Sequence, residues 1–301
     1  MKENMTIEEW AYIWLNHYKK GEVRDSTYNT SYKRVTELYI IPNFRNRSLT
    51  SIVPLEIRTF LKDLGKTYSK STLNKVLICL NGIYKSAMEN KICTFNPAEN
   101  IKIKLEEKSN IKRTYDKYEV EKIFEFCEKH FYGHIIRLLL EMGLRASELC
   151  GLRWTDIDFQ RKIISIKRGC TSLNGKPHIN ATKNLSSQRD LPMSTELTKL
   201  LEKAPKLSIY VVHSRQGDRN APVTPSTFSK GIYKSFFTAY TKGGDFLTPH
   251  ELRHTCGTLL YEKTKDIYAV SKFLGHSSIV ITSKLYVHSS AEILRESLGI
   301  I

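Results

Sequence analysis

Between Thr248 and His288 the chain reads TPHELRHT (248–255), then LGHSS (274–278), then LYVH (285–288), and these fragments decide how the rest is read. The first has two incompatible readings. Taken as letters, His250-Glu251-Leu252-Arg253-His254 is a complete H-E-x-x-H, in which two histidines one helical turn apart bind zinc and the glutamate is the base of a zinc peptidase. Arg253 speaks against it, because a permanently charged guanidinium on the same turn repels a dication. Thr248 has the character of an N-cap and Pro249 of a first helical residue. His250 then sits in an opening turn whose free N–H groups and dipole favour an anion. A histidine and an arginine three residues apart at such an end suit phosphate better than metal.

Composition points the same way. Against 31 acidic side chains the 301 residues carry 47 Lys and Arg, a net charge of +16, with a pI near 9.5. That balance calls for a polyanionic partner, nucleic acid first. The excess is spread over the chain, +6 in residues 1–110 and +10 in residues 111–301. The six cysteines (79, 93, 127, 150, 170 and 256) form no C-x-x-C pair and read as buried thiols in a reducing compartment, with no metal site. No apolar signal run opens the chain, and no stretch approaches the roughly 20 apolar residues of a membrane span. A cytoplasmic, nucleoid-associated protein without a membrane partner is expected.

Helical spacing dominates the first hundred residues. Thr6 and Glu9 make a capping box ahead of Ile7, Trp10, Trp14 and Tyr18. A second helix is expected from Ser26, with Tyr28, Tyr32, Val35 and Leu38 on one side, stopping by Pro42. A third follows Pro54, with Ile57, Phe60, Leu61 and Leu64 inward. The fourth, from about Ser71, turns Leu73, Val76, Leu80, Ile83, Tyr84 and Ala87 inward. On the polar faces Lys33, Arg34, Lys70, Asn74, Lys75 and Lys85 are candidate contacts to a DNA backbone, with a merely solvated face as the alternative. The pattern predicts a helical domain over 1–98, a charged linker over 99–113 and a second domain over 114–301. In the latter, helices are expected at 117–129, 131–142 and 146–150. Strands are expected at 162–167, 178–182 and 189–192, with Gly169 and Gly175 as turn signals between the first two. Helices then return, interrupted at Pro222, Pro225 and Gly243-Gly244.

Two upstream fragments supply further cations. GLRASEL (143–149) puts Arg145 at a break between helices with Glu148 three residues on to orient it, and TKN (182–184), followed by RDLP (189–192), puts Lys183 at a turn. With these in place the order Arg145, Lys183, His250, Arg253, His276, Tyr286 resembles the tyrosine recombinase (phage integrase) family. The likeness joins five separated fragments. Ser26-Thr27-Tyr28, Ile40-Ile41-Pro42 and Asn96-Pro97-Ala98 are similar to the family's helical core-binding domain. The resemblance implies a mainly α fold with a small antiparallel β-sheet in the second domain, a two-domain clamp around double-stranded DNA, and a C-terminal helix.

The chemistry explains the residue types. Transesterification at a phosphodiester without metal needs a nucleophile, fixed positive charge over the nonbridging oxygens and an acid for the leaving alkoxide. The resemblance makes Tyr286 the nucleophile, forming a 3′-phosphotyrosine, and His250 the chief acceptor of its proton. It makes Arg145 and Arg253 the phosphate clamp, Lys183 the acid and His276 a hydrogen-bonding helper, with Glu148 in support. His254 and His288 are left as structural. No cofactor, neither ATP nor Mg²⁺, is implied. The implied activity is site-specific recombination or integration by a homotetramer on DNA, with an accessory bending or directionality factor as a further partner. A type IB topoisomerase-like enzyme shares the same residues and stays as an alternative, as does the literal zinc peptidase.

Overall fold

The computed structural model describes residues 5–104, 113–173, 175–181, 188–213, 218–276, 278 and 279. Contacts divide the chain into two compact units, Met1–Asn110 and Ile111–Ile301.

The first unit is helical. Helix α1 (Ile7–Trp14) opens on the Thr6–Glu9 capping box, both halves of which are formed. A helical run then starts at α2 (Asp25–Thr27), passes through wide turns at Tyr28–Lys33 and Thr36–Ile40, and ends in α3 (Ile41–Phe44). Helices α4 (Pro54–Leu64) and α5 (Lys70–Glu89) complete it. Two expectations fail in the α2–α3 run. Helical structure passes through Pro42, which occupies the opening of α3 after a wide turn, where its missing N–H is not needed. Leu38 is half exposed, whereas Thr36 and Ile40 are fully buried. Wide turns with i→i+5 bonds hold more residues per turn, so the 3.6-residue phase that put Leu38 inward is lost.

The core of this unit gathers Ile7, Trp10, Trp14, Ile57, Phe60, Leu73, Leu80 and Ile83. Trp10 Nε1 donates to the Ile83 carbonyl at 3.1 Å and to Ser86 Oγ at 3.0 Å, so the indole is buried with its polar edge satisfied. The Trp14 ring lies directly on Gly82 of α5.

The second unit carries α6 (Lys117–Cys127), α7 (Gly133–Glu141) and α8 (Ala146–Gly151). Five strands follow: β1 (Ile157–Asp158), β2 (Ile163–Ile166), β3 (Arg168–Leu173), β4 (Lys176–Ala181) and β5 (Arg189–Pro192). Next come α9 (Thr195–Lys203), α10 (Pro225–Phe228), α11 (Lys234–Tyr240), α12 (Pro249–Thr264) and α13 (Ile267–Leu274). Asp116, Ser194, Thr224, Thr248 and Asp266 each accept a backbone N–H at the start of a helix, which is why these helices begin where they do.

The expected small antiparallel β-structure is present in two pieces, a three-stranded β1-β2-β5 sheet and a β3-β4 hairpin. Gly169 is not a turn residue. It lies inside β3, paired with Asn180, and a Cβ built on Gly151 would come within 3.0 Å of the Gly169 Cα. The two glycines thus allow α8 and β3 to touch backbone to backbone. All six cysteines are free and buried. Among the described residues no helix is long and apolar enough to cross a membrane.

A Cβ on Gly82 would stand 2.5 Å from Cζ2 of the buried Trp14 ring. Gly82→Ala is therefore expected to destabilise the chain by about 1–3 kcal/mol through overpacking, read as a lowered Tm by calorimetry. An unchanged Tm would show that the ring yields freely.

Candidate active site

Glu148 lies buried in α8, and three arginines converge on it. At the N-terminal end of α8, Arg145 receives the carboxylate on its backbone N–H at 2.9 Å, and its Nη1 donates to Oε1 at 2.7 Å. Arg189, from β5, donates Nη1 to Oε1 at 3.2 Å and Nη2 to Oε2 at 3.0 Å, a forked pair. Arg253 of α12 brings Nη1 to 3.9 Å from Oε2. Burial alone would raise the Glu148 carboxyl, but the Arg189 hydrogen bond and the charges of Arg189 and Arg145 outweigh it and hold the pKa below the ordinary value.

The same guanidiniums reach backbone carbonyls at two helix ends. Arg253 Nη1 donates to Gly143 O at 2.7 Å and Nη2 to Leu274 O at 2.6 Å. Arg189 Nε donates to Phe273 O at 2.7 Å, and Arg145 Nη2 to Gly275 O at 2.9 Å. Gly143 and Gly275 follow α7 and α13 with φ of +57° and +66°, the left-handed conformation that ends a helix and that glycine adopts without cost. Space is equally tight there. A Cβ on Gly143 would meet Leu274 Cδ2 at 2.7 Å, and one on Gly275 would meet Arg189 Nη1 at 2.9 Å.

Helix α12 delivers the HELRH stretch. Thr248 Oγ1 accepts the Glu251 N–H at 3.4 Å while the Glu251 carboxylate accepts the Thr248 N–H at 2.6 Å. Glu251 is thereby committed to the cap. The His250 and His254 rings meet edge to face with centroids 4.5 Å apart, and Arg253, buried between them in sequence, points at Glu148. No group of three His, Cys, Asp or Glu side chains is arranged to hold a metal among the described residues. His276, directly after Gly275, is half-buried. Its pKa is pushed down to about 4, first by burial and then by the charges of Arg253 and Arg145. A neutral imidazole beside the arginines follows. A cleft of about 590 Å³ borders Arg189 and His276.

Of the residues proposed from sequence, Arg145, Glu148 and Arg253 meet in one cluster, with His276 at its edge and His250 one turn before Arg253. Lys183 and Tyr286 lie outside the described residues. Lys33, Arg34, Lys70, Asn74, Lys75 and Lys85 belong to the first unit. All but the half-buried Lys70 are exposed, and Lys33 is 3.9 Å from Glu37. Sequence reasoning missed Arg189. A signal was available, because period-two alternation puts Arg189 on the same strand face as Leu191, which is buried. An inward-facing arginine demands a buried acceptor.

Three guanidiniums gathered around one carboxylate are cationic donors of a kind suited to an anion. Glu148→Gln, or Arg189→Met, breaks this buried network and is expected to cost about 3–5 kcal/mol in denaturant unfolding. The histidine shift has a definite sign. A folded pKa of about 4 against an ordinary 6.5 means that the unfolded chain binds more protons between those values. Stability therefore falls as pH drops through that window, and His276→Gln should flatten part of the slope. Burial holds His134 at about 4 as well, so the slope should not vanish. An unaltered slope in the variant would contradict the assignment.

The model of the phage integrase family matches residues 113–292, and that of the phage integrase N-terminal SAM-like domain matches residues 6–65. The chain is 25% identical to a tyrosine recombinase XerC-like protein of Caldanaerobacter subterraneus subsp. tengcongensis over 95% of its own length and 80% of the relative's. It is 26% identical to the tyrosine recombinase XerA of Pyrococcus furiosus over 97% and 92%. Among solved structures, the Tn1549 transposon integrase in complex with a circular intermediate DNA superposes with a TM-score of 0.81 at 20% identity, over 99% of this chain and 100% of that one. A lambda integrase tetramer bound to a Holliday junction gives 0.68 at 19%, over 92% and 79%. With its family model matched over more than half its length, the chain belongs to the phage integrase family, the tyrosine recombinases.

Proposed function

We propose that the chain performs site-specific recombination by cutting and rejoining duplex DNA through Tyr286, in a homotetramer that passes through a Holliday junction. The observation that carries this reading is the convergence of Arg145 and Arg253 on Glu148, beside a helix N-terminus that bears His250. A phosphodiester has the charge and the oxygen geometry for such a site. Arg145 and Arg253 hold its nonbridging oxygens, with Glu148 fixing their orientation. Tyr286 attacks phosphorus; the P–O bond to the 5′ side breaks, the 5′ oxygen takes a proton from Lys183, and His250 accepts the tyrosine proton. His276, neutral at physiological pH, contributes a hydrogen bond as charge builds on the phosphate. The phosphotyrosine conserves the bond energy, so a 5′ hydroxyl reverses the step without an energy source. Relatives named as recombinases and neighbours solved on DNA support the partner and the assembly.

A duplex nicked near the cleavage point should trap a covalent adduct with the unaltered chain and none with Tyr286→Phe. An adduct in that variant would overturn the assignment of the nucleophile. Arg145→Ala should slow adduct formation by about 10²–10³ while binding persists. Binding itself should weaken steeply with salt, log K falling by about 0.9 per phosphate contact for each tenfold rise; a flat response would argue against backbone contact.

A further inference from the structure

Helix α5 has a solvent face unlike an ordinary polar surface. Its other side, Leu73, Val76, Leu80, Ile83, Tyr84 and Ala87, is buried in the core of the first unit. Outward it shows Ser71, Asn74, Lys75, Ile78 and Lys85, and no acidic residue occurs between Lys70 and Met88. Ile78, 58% exposed, sits in the middle of this cationic stripe. At about 100° per residue, Asn74, Ile78 and Lys85 fall within about 40° of one line along the helix, with Lys75 at its edge. Among the described residues no side-chain hydrogen bond engages the Asn74 amide, and no carboxylate pairs with Lys75 or Lys85.

A scattered surface isoleucine needs no explanation by itself. This one is flanked by a free amide four residues before it and by two unpaired cations, and those three groups together match one ligand. The major groove of duplex DNA admits an α-helix. It presents adenine N7 and N6 to an asparagine amide, thymine's C5 methyl to an apolar side chain, and phosphates on either rim to lysines. Double-stranded RNA does not fit, because its major groove is too deep and narrow to be read.

We propose that α5 is a base-reading helix in which Asn74 recognises an adenine and Ile78 the methyl of a thymine, while Lys75 and Lys85 hold the flanking phosphates. Four residues of helix rise about 6 Å, so the two bases lie about two base-pair steps apart. The inference rests on the DNA reading given under Proposed function and adds to it the bases selected.

Selection of the full chain on randomised duplexes, followed by binding to single-base variants of the selected site, tests it. The unaltered chain should select an adenine and a thymine about two steps apart. Exchange of that thymine for uracil, which removes only the methyl, should weaken its binding by about threefold to tenfold. Ile78→Ala should bind both duplexes equally, and Ile78→Val should keep the preference. Asn74→Ala should lose about tenfold discrimination for adenine. Lys75→Ala should weaken all sequences alike and lower the salt slope by about one. Unchanged base selection in the Asn74 and Ile78 variants would overturn this inference while leaving the recombinase reading intact. Absence of any sequence-selective binding by the unaltered chain would overturn both, and adduct trapping scores the latter independently.

Discussion

Three guanidinium groups repel one another, and bringing them together inside a protein requires something that cancels charge where water cannot. Glu148 is that something. Its carboxylate is almost wholly buried, which alone costs several kcal/mol of lost hydration, and only a full set of donors offsets such a cost. Arg145 and Arg189 supply them directly, and Arg253 adds its field from 3.9 Å. The rest of the arrangement follows from this demand. Helix α8 must present residue 148 one turn after Arg145, β5 must bring Arg189 across, and α12 must turn Arg253 inward.

A second source of negative potential supports the cluster. The last carbonyls of a helix lack intrahelical donors and carry the negative end of its dipole. The ends of α7 and α13 meet here, and the carbonyls of Gly143, Phe273, Leu274 and Gly275 each accept from one of the three arginines. Arginine is suited to this because one rigid fork satisfies a carboxylate and a carbonyl at once, which a lysine ammonium does not do in fixed geometry. The αL glycines have a structural purpose as well. They end the helices at the point where the guanidiniums arrive, without a Cβ in the way.

The fold was legible in sequence where one local rule governed it. The Thr6–Glu9 box, the apolar stripes of α4 and α5, and the Thr248 cap state their positions plainly. It was misread where a longer-range contact set the rule. Gly169 looks like a turn, but it is glycine because α8 presses on β3. Leu38 looks inward, but wide turns shift the helical phase. Arg189 carries no local pattern beyond strand alternation, and its partner is 41 residues away in the chain. The literal zinc motif fails for a legible reason, since Glu251 is spent on the cap and the residue between the histidines is the most deeply buried cation of the three.

Exposure divides the arginines by what they have left to give. The side chains of Arg253 and Arg189 are 3% and 7% exposed, and Arg145 is 36% exposed. Arg145 therefore keeps the most surface for contact with an incoming anion, and Arg253 and Arg189 are bound more closely into the framework. The same charges add to what burial does at His276. Burial first, and then the positive charges of Arg253 and Arg145, disfavour a proton on the imidazole, so the ring stays neutral. An entering phosphodiester brings negative charge beside these arginines, which opposes their effect on the ring and raises its proton affinity. The histidine is thus coupled to the very charge the proposed reaction develops, and the coupling originates in the carboxylate that holds the arginines together.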